Sequence, residues 1–427
     1  MASKINYSVV VDIGTSKMTA LAGQKDSEGR MEILGASSFP SKGIKRGVVF
    51  NIEEATISLR YLLNDLLDQV GGKIKTVDIA YAGQPMKIYE HKGTRLTSGD
   101  GVVTENDVNE LFNEAGKLKV EKDFKLLHVI PQSFVIDNEP VELSPVGITG
   151  QKIEATYKLI AVPEIHITNF ERVLDKVGVE LGEVVLSPMA TSEAVLTEDE
   201  KELGTILLDM GAGTTKLAVF NEGTMIHTAV IPFAGDVVTN DIKEGCSILP
   251  KWAEQLKTQY GQALGDFADE QKVVTIPGHS GWEPKEISFK SLAFIIQARM
   301  EEIIDSAFYQ VEKSGIAEQL GSGIVLAGGT ASLNNLISLV KFRTGMDTRL
   351  AFSVVRASSK AEIIEKPDFY TALGLMKMTL EKVDPLPKEK KRKPKRKKKD
   401  SGISPWLKNV VQGVLDYVDD DDDVALN

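Results

Sequence analysis

Two stretches of this chain carry the residue types that handle phosphate. Asp12-Ile13-Gly14-Thr15-Ser16-Lys17 follows the apolar run Val9-Val10-Val11, and Asp209-Met210-Gly211-Ala212-Gly213-Thr214-Thr215-Lys216 follows Leu207-Leu208. A glycine-tipped β-hairpin brings backbone N–H groups close to an anion. The hydroxyls of Thr15, Ser16, Thr214 and Thr215 add donors. Asp12 and Asp209 sit just before the turns, where carboxylates hold Mg²⁺ through its retained waters, and Lys17 or Lys216 offsets phosphate charge. Taken singly, an Asp-x-Gly turn reads as no more than a hairpin. The repeat is what matters: both copies run strand, Asp, Gly-rich turn, hydroxyl, Lys, strand, roughly 200 residues apart, which indicates an internal duplication with a nucleotide cleft between its halves.

A third element accompanies them. Gly323-Ile324-Val325-Leu326-Ala327-Gly328-Gly329-Thr330-Ala331 reads as a buried strand ending in Gly-Gly, then a helix through Leu333 to Val340. Such a junction lets backbone approach a flat ring or a phosphate; it also serves as an ordinary loop with glycine for packing. No G-x-x-x-x-G-K-[ST] sequence is present, so the chain is not a P-loop protein.

The positioning elements are legible as patterns. Strands are predicted at Tyr7–Ile13, Met31–Ser38 and Val77–Ala82. A helix is predicted from Ile52 to Val70, with Ile57, Tyr61, Leu62, Leu66 and Val70 on one stripe, ended by Gly71-Gly72. From Gln84 to about Val162 the texture changes to short alternating strands, many charges and a helix near Glu105–Lys117 that Thr104 caps. This stretch reads as a small inserted α+β domain. The α/β pattern returns with a helix at Asn169–Val177 and strands at Val184–Leu186, Thr205–Met210 and Lys216–Phe220.

Composition bounds the functions open to such a fold. With 427 residues, 42% hydrophobic and 26% charged, the chain is globular and long enough for two to four domains. Its net charge of -11 splits unevenly, as +3 from Pro385 onward and -14 before it. An acidic body argues against nucleic acid as a partner. One cysteine, Cys246, excludes an intramolecular disulfide framework and a Cys-rich metal site. No signal peptide is read at the N-terminus, and no apolar run approaches the roughly 20 residues of a spanning helix. Membrane contact is therefore expected to be peripheral.

The C-terminal region bears on that contact. After Pro385-Leu386-Pro387, residues Lys388–Lys399 contain ten Lys/Arg in twelve, a self-repelling run expected to be a disordered linker. Ser404 and Pro405 then suit a helix start. Trp406, Leu407, Val410, Val411, Val414, Leu415 and Val418 form one apolar stripe, opposite Lys408, Asn409, Gln412, Gly413 and Asp416. Such a helix docks on its own body, on a partner, or in a bilayer interface. A Trp-led amphipathic helix beside a polybasic run is the two-signal arrangement of peripheral anchoring.

With these residues in view, the chain resembles the actin, heat-shock chaperone and sugar kinase ATPases, which share two Asp-x-Gly phosphate hairpins and a late Gly-Gly adenosine loop. Within that superfamily it is similar to the FtsA family over nearly its whole length. The resemblance rests on Asp12–Lys17, Leu127–Gln132, Asn138 through Gly147, Val195–Gly204, His227–Ile242, Gly323–Thr330 and Thr371–Leu375. It implies an α/β, actin-like (duplicated ribonuclease-H-like) ATPase fold with four subdomains. Subdomain 1A would take 1–83, 163–203 and part of 370–384; the inserted 1C, 84–162; 2A, 204–240 and 307–370; 2B, 241–306. A linker at 385–403, an amphipathic helix at 404–418 and an acidic tail at 419–427 complete the chain.

The resemblance also implies ATP with Mg²⁺ in the cleft. ATP would be bound by Gly14, Thr15, Ser16, Lys17, Gly211, Gly213, Thr214 and Thr215, by Gly235 at a turn beside the nucleotide, by Glu254 and Lys257 flanking the adenosine, and by Gly328 and Gly329. Metal would be held through water by Asp12 and Asp209, which are also the only candidates to orient a hydrolytic water; hydrolysis is expected to be slow at most. The implied partners are the FtsZ C-terminal peptide, met in 2B by Lys290 and Arg299 on the helix starting near Ser288; further copies of the chain in a filament; an anionic membrane surface at the cytoplasmic side of the division site; and other division proteins through 1C. For Glu254, Lys257, Lys290 and Arg299, charge on a solvated helix face is the plainer explanation. One departure stands out: Asp419–Asp423 is acidic where the family ends in basic residues. The same fold also houses sugar kinases and PilM-type pilus ATPases, but no general base for a second substrate is identifiable.

Overall fold

A computed structural model describes residues 7–141, 144–278, 283–313, 315, 320–359 and 366–383. The basic linker, the Trp406–Val418 stripe and the acidic run all lie outside these residues. The chain divides into two units. Among these described residues, the first comprises those within 7–24, 30–86 and 162–380, and the second those within 25–29, 87–161 and 381–383.

The first unit is built from two sheets of the same design. One uses β1 (Ser8–Ile13), β2 (Lys17–Lys25), β3 (Met31–Pro40), with a two-residue ribbon β4 (Ile44–Lys45) and β5 (Val48–Val49), then helix α1 (Ile52–Val70) and β6 (Thr76–Tyr81). β1 pairs antiparallel with β2, Asp12 opposite Thr19, and parallel with β6. The strand β-branching of Val9-Val10-Val11 suits this placement: all three are buried, as strands covered on both faces require.

The second unit follows in the chain, with β7 (Lys87–Leu96), α2 (Glu105–Gly116), β8 (Phe124–Ile136), β9 (Glu139–Val141) and β10 (Lys152–Pro163). They form one sheet in the order β7-β10-β8-β9. α2 lays Val108, Leu111 and Ala115 onto Ile153, Ala155 and Tyr157. Thr104 and Asp107 cap it reciprocally, each side chain taking the other's backbone N–H.

The chain then returns to the first unit with α3 (Glu164–Val177), β11 (Glu180–Leu186), α4 (Ser187–Val195) and α5 (Glu198–Leu203). β11 pairs parallel with β6. The second sheet uses β12 (Thr205–Met210), β13 (Thr215–Asn221) and β14 (Thr224–Ile231). These are followed by α6 (Gly235–Cys246), α7 (Pro250–Tyr260), the ribbon β15 (Val273–Ile276) and β16 (Lys285–Ser288), α8 (Phe289–Glu312), β17 (Ile324–Ala327), α9 (Leu336–Thr344) and β18 (Thr348–Leu350). β19 (Ser358–Ser359) pairs parallel with β3, and α10 (Tyr370–Glu381) closes the described chain.

The strand orders are β11-β6-β1-β2-β3-β19 and β14-β13-β12-β17-β18. Counted in its own chain order, each sheet contains the sequence third, second, first, fourth, fifth. The duplication inferred from the two hairpins is therefore a duplication of sheet topology.

Two sequence expectations need correction. The buried face of α1 is Ala55, Leu59, Leu62, Leu63 and Leu66, whereas Ile57 and Tyr61 are exposed. α1 packs on β3 and α3, which selects the face centred on Leu59 and Leu62. Tyr61 instead stacks on Phe39, ring centroids 5.2 Å apart. The chain after Gly328 forms a 3-10 turn over Gly329–Ser332, and α9 starts only at Leu336. Asn335, at φ 61°, separates the two.

Candidate functional site

β1 and β12 occupy equivalent places in their sheets and end in the two Asp-x-Gly turns. Those turns meet. A Cβ placed on Gly213 would lie 2.6 Å from Thr15 Oγ1 and 2.8 Å from its Cγ2. Only glycine allows this approach, although the backbone of Gly213 is not in the left-handed region. The first turn is held by Ser41, whose N–H donates to Ser16 O (2.9 Å) and whose Oγ donates to Gly14 O (2.7 Å). Gly47 N–H donates to Thr15 Oγ1 at 3.3 Å. In the second turn, Gly211 N–H donates to Thr214 O at 3.0 Å. Thr215 is buried and gives its hydroxyl to Phe233 O (3.0 Å), so it supports the turn.

The carboxylates beneath the turns differ. Asp209 is buried, and its Oδ2 accepts from Lys216 Nζ at 2.8 Å and from Thr191 Oγ1 at 3.2 Å. Thr191 in turn shares a hydrogen bond with Thr371 (2.8 Å). Asp12 is pushed up to about 6 by burial, which outweighs the pull of Lys216, with Asp209 adding repulsion. Lys216 loses hydration by burial, yet Asp209 and then Asp12 hold it above the usual lysine range. Lys17 instead makes an ion pair with Asp368. Thus the two lysines, equivalent in sequence, have different neighbours.

The other candidate residues gather around the second turn. Gly235 N–H donates to Gly211 O (3.1 Å) and Asp236 N–H to Ala212 O (2.8 Å). A Cβ on Gly235 would meet Thr330 Oγ1 at 2.6 Å and Lys257 Nζ at 3.2 Å. Lys257 is buried against the start of α6. It donates to Gly235 O (3.0 Å) and Thr239 Oγ1 (2.8 Å) and pairs with Glu254 (2.7 Å). This replaces the reading of Lys257 as charge on a solvated face. Thr330 Oγ1 donates to Gly211 O at 2.7 Å, tying the Gly-Gly junction to the second turn. Gly328, at φ 83°, lies with its Cβ direction 2.4 Å from Met210 O and 2.6 Å from Asp209 Oδ1, while nothing stands within 4 Å of that direction at Gly329. Backbone approach is open at Gly329 and closed at Gly328.

Sequence reasoning missed Thr191, Thr330 and Thr371. Threonines carry no spacing signal of their own, and all three act through tertiary contacts. Lys290 and Arg299 both lie on α8 but do not share a partner. Lys290 pairs with Glu270, and Arg299 with Asp241 and Glu302.

No helix among the described residues is long and apolar enough to cross a membrane. No group of three or more His, Cys, Asp or Glu side chains among them has the arrangement of a metal site.

Two family models match the chain: "Cell division protein FtsA" over residues 206–374, and "SHS2 domain inserted in FTSA" over residues 83–161. Cell division protein FtsA of Pseudomonas aeruginosa is 32% identical over 376 residues, spanning 88% of this chain and 89% of that protein. The Escherichia coli K12 protein of the same name is 29% identical over 375 residues, 86% of this chain and 89% of its own. Among solved structures, MreB 5 of Spiroplasma citri bound to AMPPNP is 15% identical with a TM-score of 0.55, covering 89% of this chain and 98% of that one. The PilM–PilN type IV pilus biogenesis complex gives 16% identity and a TM-score of 0.59, covering 87% and 98%. The fold is that of the actin-like ATPases.

Proposed function

The chain belongs to the FtsA family of cell division proteins, and on that premise we propose that it is an ATP-binding, actin-like protein that ties FtsZ filaments to the cytoplasmic face of a bacterial membrane. The observation that carries the nucleotide part is the meeting of the two turns at Thr15 and Gly213. Two sets of backbone N–H groups then address one polyphosphate, with the hydroxyls of Thr15, Ser16 and Thr214 beside them. The donor chemistry fits. Gly329 leaves room for a flat ring, and Lys257 and Glu254 stand at the start of α6 nearby.

Mg²⁺ fits less simply. Asp12 is the carboxylate left to hold a metal's water shell, because Asp209 is already engaged by Lys216 and Thr191. Bound metal would supply charge neutralisation between phosphate oxygens. The nucleotide serves mainly as a conformational and assembly ligand, with hydrolysis slow at most, and the chain would assemble head to tail into filaments. The four-subdomain division, with residues 84–162 as 1C, is part of the same reading. So is recruitment of later division proteins through 1C.

Anchoring falls to Trp406–Val418 and the basic run before it, by apolar insertion plus roughly 1 kcal/mol per Lys/Arg near an anionic surface. The FtsZ peptide, acidic and apolar, would be taken by Lys290 and Arg299 in exchange for their present ion pairs. Such surface pairs are individually weak. Curated relatives named as cell division proteins over 86–94% of the chain support division rather than a sugar kinase or a PilM-type ATPase.

Co-sedimentation with anionic vesicles tests the tether. The full chain should pellet, with FtsZ added or not, and carry FtsZ down with it. A chain ending at Lys382, and Trp406→Glu, should stay in the supernatant. Equal pelleting of all three, or of none, would remove the membrane role.

A further inference from the structure

The metal expected beneath the second turn shares its place with a lysine. Lys216 faces Asp209 directly across the β12–β13 ladder. Its Nζ donates to Asp209 Oδ2 at 2.8 Å, and the two side chains are only 10% and 5% exposed. Gly213 faces Thr15 closely enough that no side chain fits between them, which brings the Asp12 turn near, and the Lys216 ammonium is attracted by Asp12 as well as by Asp209. Thr191 donates to the same Asp209 Oδ2 at 3.2 Å, and only the lack of a side chain at Gly328 leaves room beside Asp209 Oδ1. Both donors therefore converge on one Asp209 oxygen, and the oxygen that faces the ammonium is committed to Lys216 rather than to a metal's water shell.

The geometry points to Lys216 as a built-in counter-cation: it supplies positive charge under the phosphates that a divalent metal would otherwise have to bring, so nucleotide binding by this chain survives removal of metal. The inference rests on the nucleotide-binding reading of the two turns. Its physical basis is direct. Four phosphate charges must be set against two carboxylates in one cleft. A buried ammonium contributes attraction at low effective dielectric, and a neutral side chain of the same length contributes none. With Lys216 present, Asp12 alone remains for a metal, which makes the metal a modest addition.

The experiment is equilibrium binding of a fluorescent ATP analogue to the full chain, in Mg²⁺ and in EDTA, for the wild type, Lys216→Met and Lys216→Arg. The wild type and Lys216→Arg should weaken by no more than about threefold on metal removal. Lys216→Met should bind in Mg²⁺ but lose at least tenfold in EDTA, about 1.4 kcal/mol. A wild type whose affinity collapses in EDTA overturns the inference on its own, whether or not Lys216→Met folds. Equal metal dependence of the wild type and Lys216→Met does so too. A wild type that binds nucleotide in neither condition refutes the nucleotide reading itself, a result distinct from strong but metal-dependent binding.

Discussion

Gly213→Ala is the sharpest probe of the contact between the two turns. The new Cβ would stand 2.6 Å from Thr15 Oγ1, 2.8 Å from Cγ2 and 3.0 Å from Cβ, where ordinary contact begins near 3.4 Å. The turns must part by about 0.8 Å, because dispersion wells are narrow and repulsion inside them is steep. The backbone at Gly213 is compatible with alanine, so the cost is steric alone. Overpacking of this kind costs about 1–3 kcal/mol. For a body of this size that lowers the melting temperature by about 1–2 °C per kcal/mol. Nucleotide affinity should fall tenfold or more, since the parted turns no longer converge on one polyphosphate. Thr15→Gly removes all three obstructing atoms, so the Gly213→Ala/Thr15→Gly double variant should recover stability relative to the sum of the single changes. A coupling of about 1 kcal/mol or more is expected in that cycle. Thermal melting of the nucleotide-free protein and fluorescence titration supply the two readouts. If Gly213→Ala melts and binds like the wild type, the turns do not meet as described and the cleft argument fails.

Other consequences follow from the same structure. Asp12→Asn should stabilise the nucleotide-free protein at pH 7 by up to about 3 kcal/mol while weakening nucleotide binding. The folded carboxyl titrates near 6, above its ordinary value, so its favourable contribution is complete below about pH 4 and lost as pH rises through 6; melting curves at pH 5 and 8 show the difference. Asp107 behaves oppositely. Burial alone would raise it, but hydrogen bonds from Ser98 and Thr104, with Arg95 nearby, hold it at about 2. Its contribution is present above about pH 4 and lost as pH falls toward 2, so Asp107→Asn should flatten the acid-unfolding profile in that window. Gly374→Val should prevent soluble folding, or cost about 3 kcal/mol or more in urea unfolding. A Cβ there meets Ala190 O at 1.7 Å, where α10 crosses α4. Lys201→Met should cost about 1–3 kcal/mol in urea unfolding, the range for a lost charged hydrogen bond. It removes one of the two lysines on Glu193 and leaves Lys377 to neutralise it alone.

What the sequence disclosed, and what it hid, divides along physical lines. Local signals were strong where one residue decides the geometry. Thr104 fixed the start of α2, and Gly71 the end of α1, by capping chemistry that depends on near neighbours only. The paired turns were legible because duplication repeats residue types at matching places, and the actin-like fold followed from them. The face of α1 was misjudged because Ile57 and Leu59 are both apolar. Only the neighbours, β3 and α3, decide which is covered. The same holds in the site. Lys17 and Lys216 are indistinguishable by spacing, yet one pairs with Asp368 and the other with Asp209. Thr191 and Thr371 come from helices far apart in sequence, and nothing local marks them as the brace behind Asp209.

The central claim is that one nucleotide lies between the two turns. The most direct measurement is a crystal structure of the protein grown with AMPPNP. The account predicts phosphates contacting backbone N–H groups of both the Gly14–Ser16 and Gly211–Thr214 turns, with the base against Gly329. Phosphates held by one turn only, or nucleotide bound elsewhere, would contradict it.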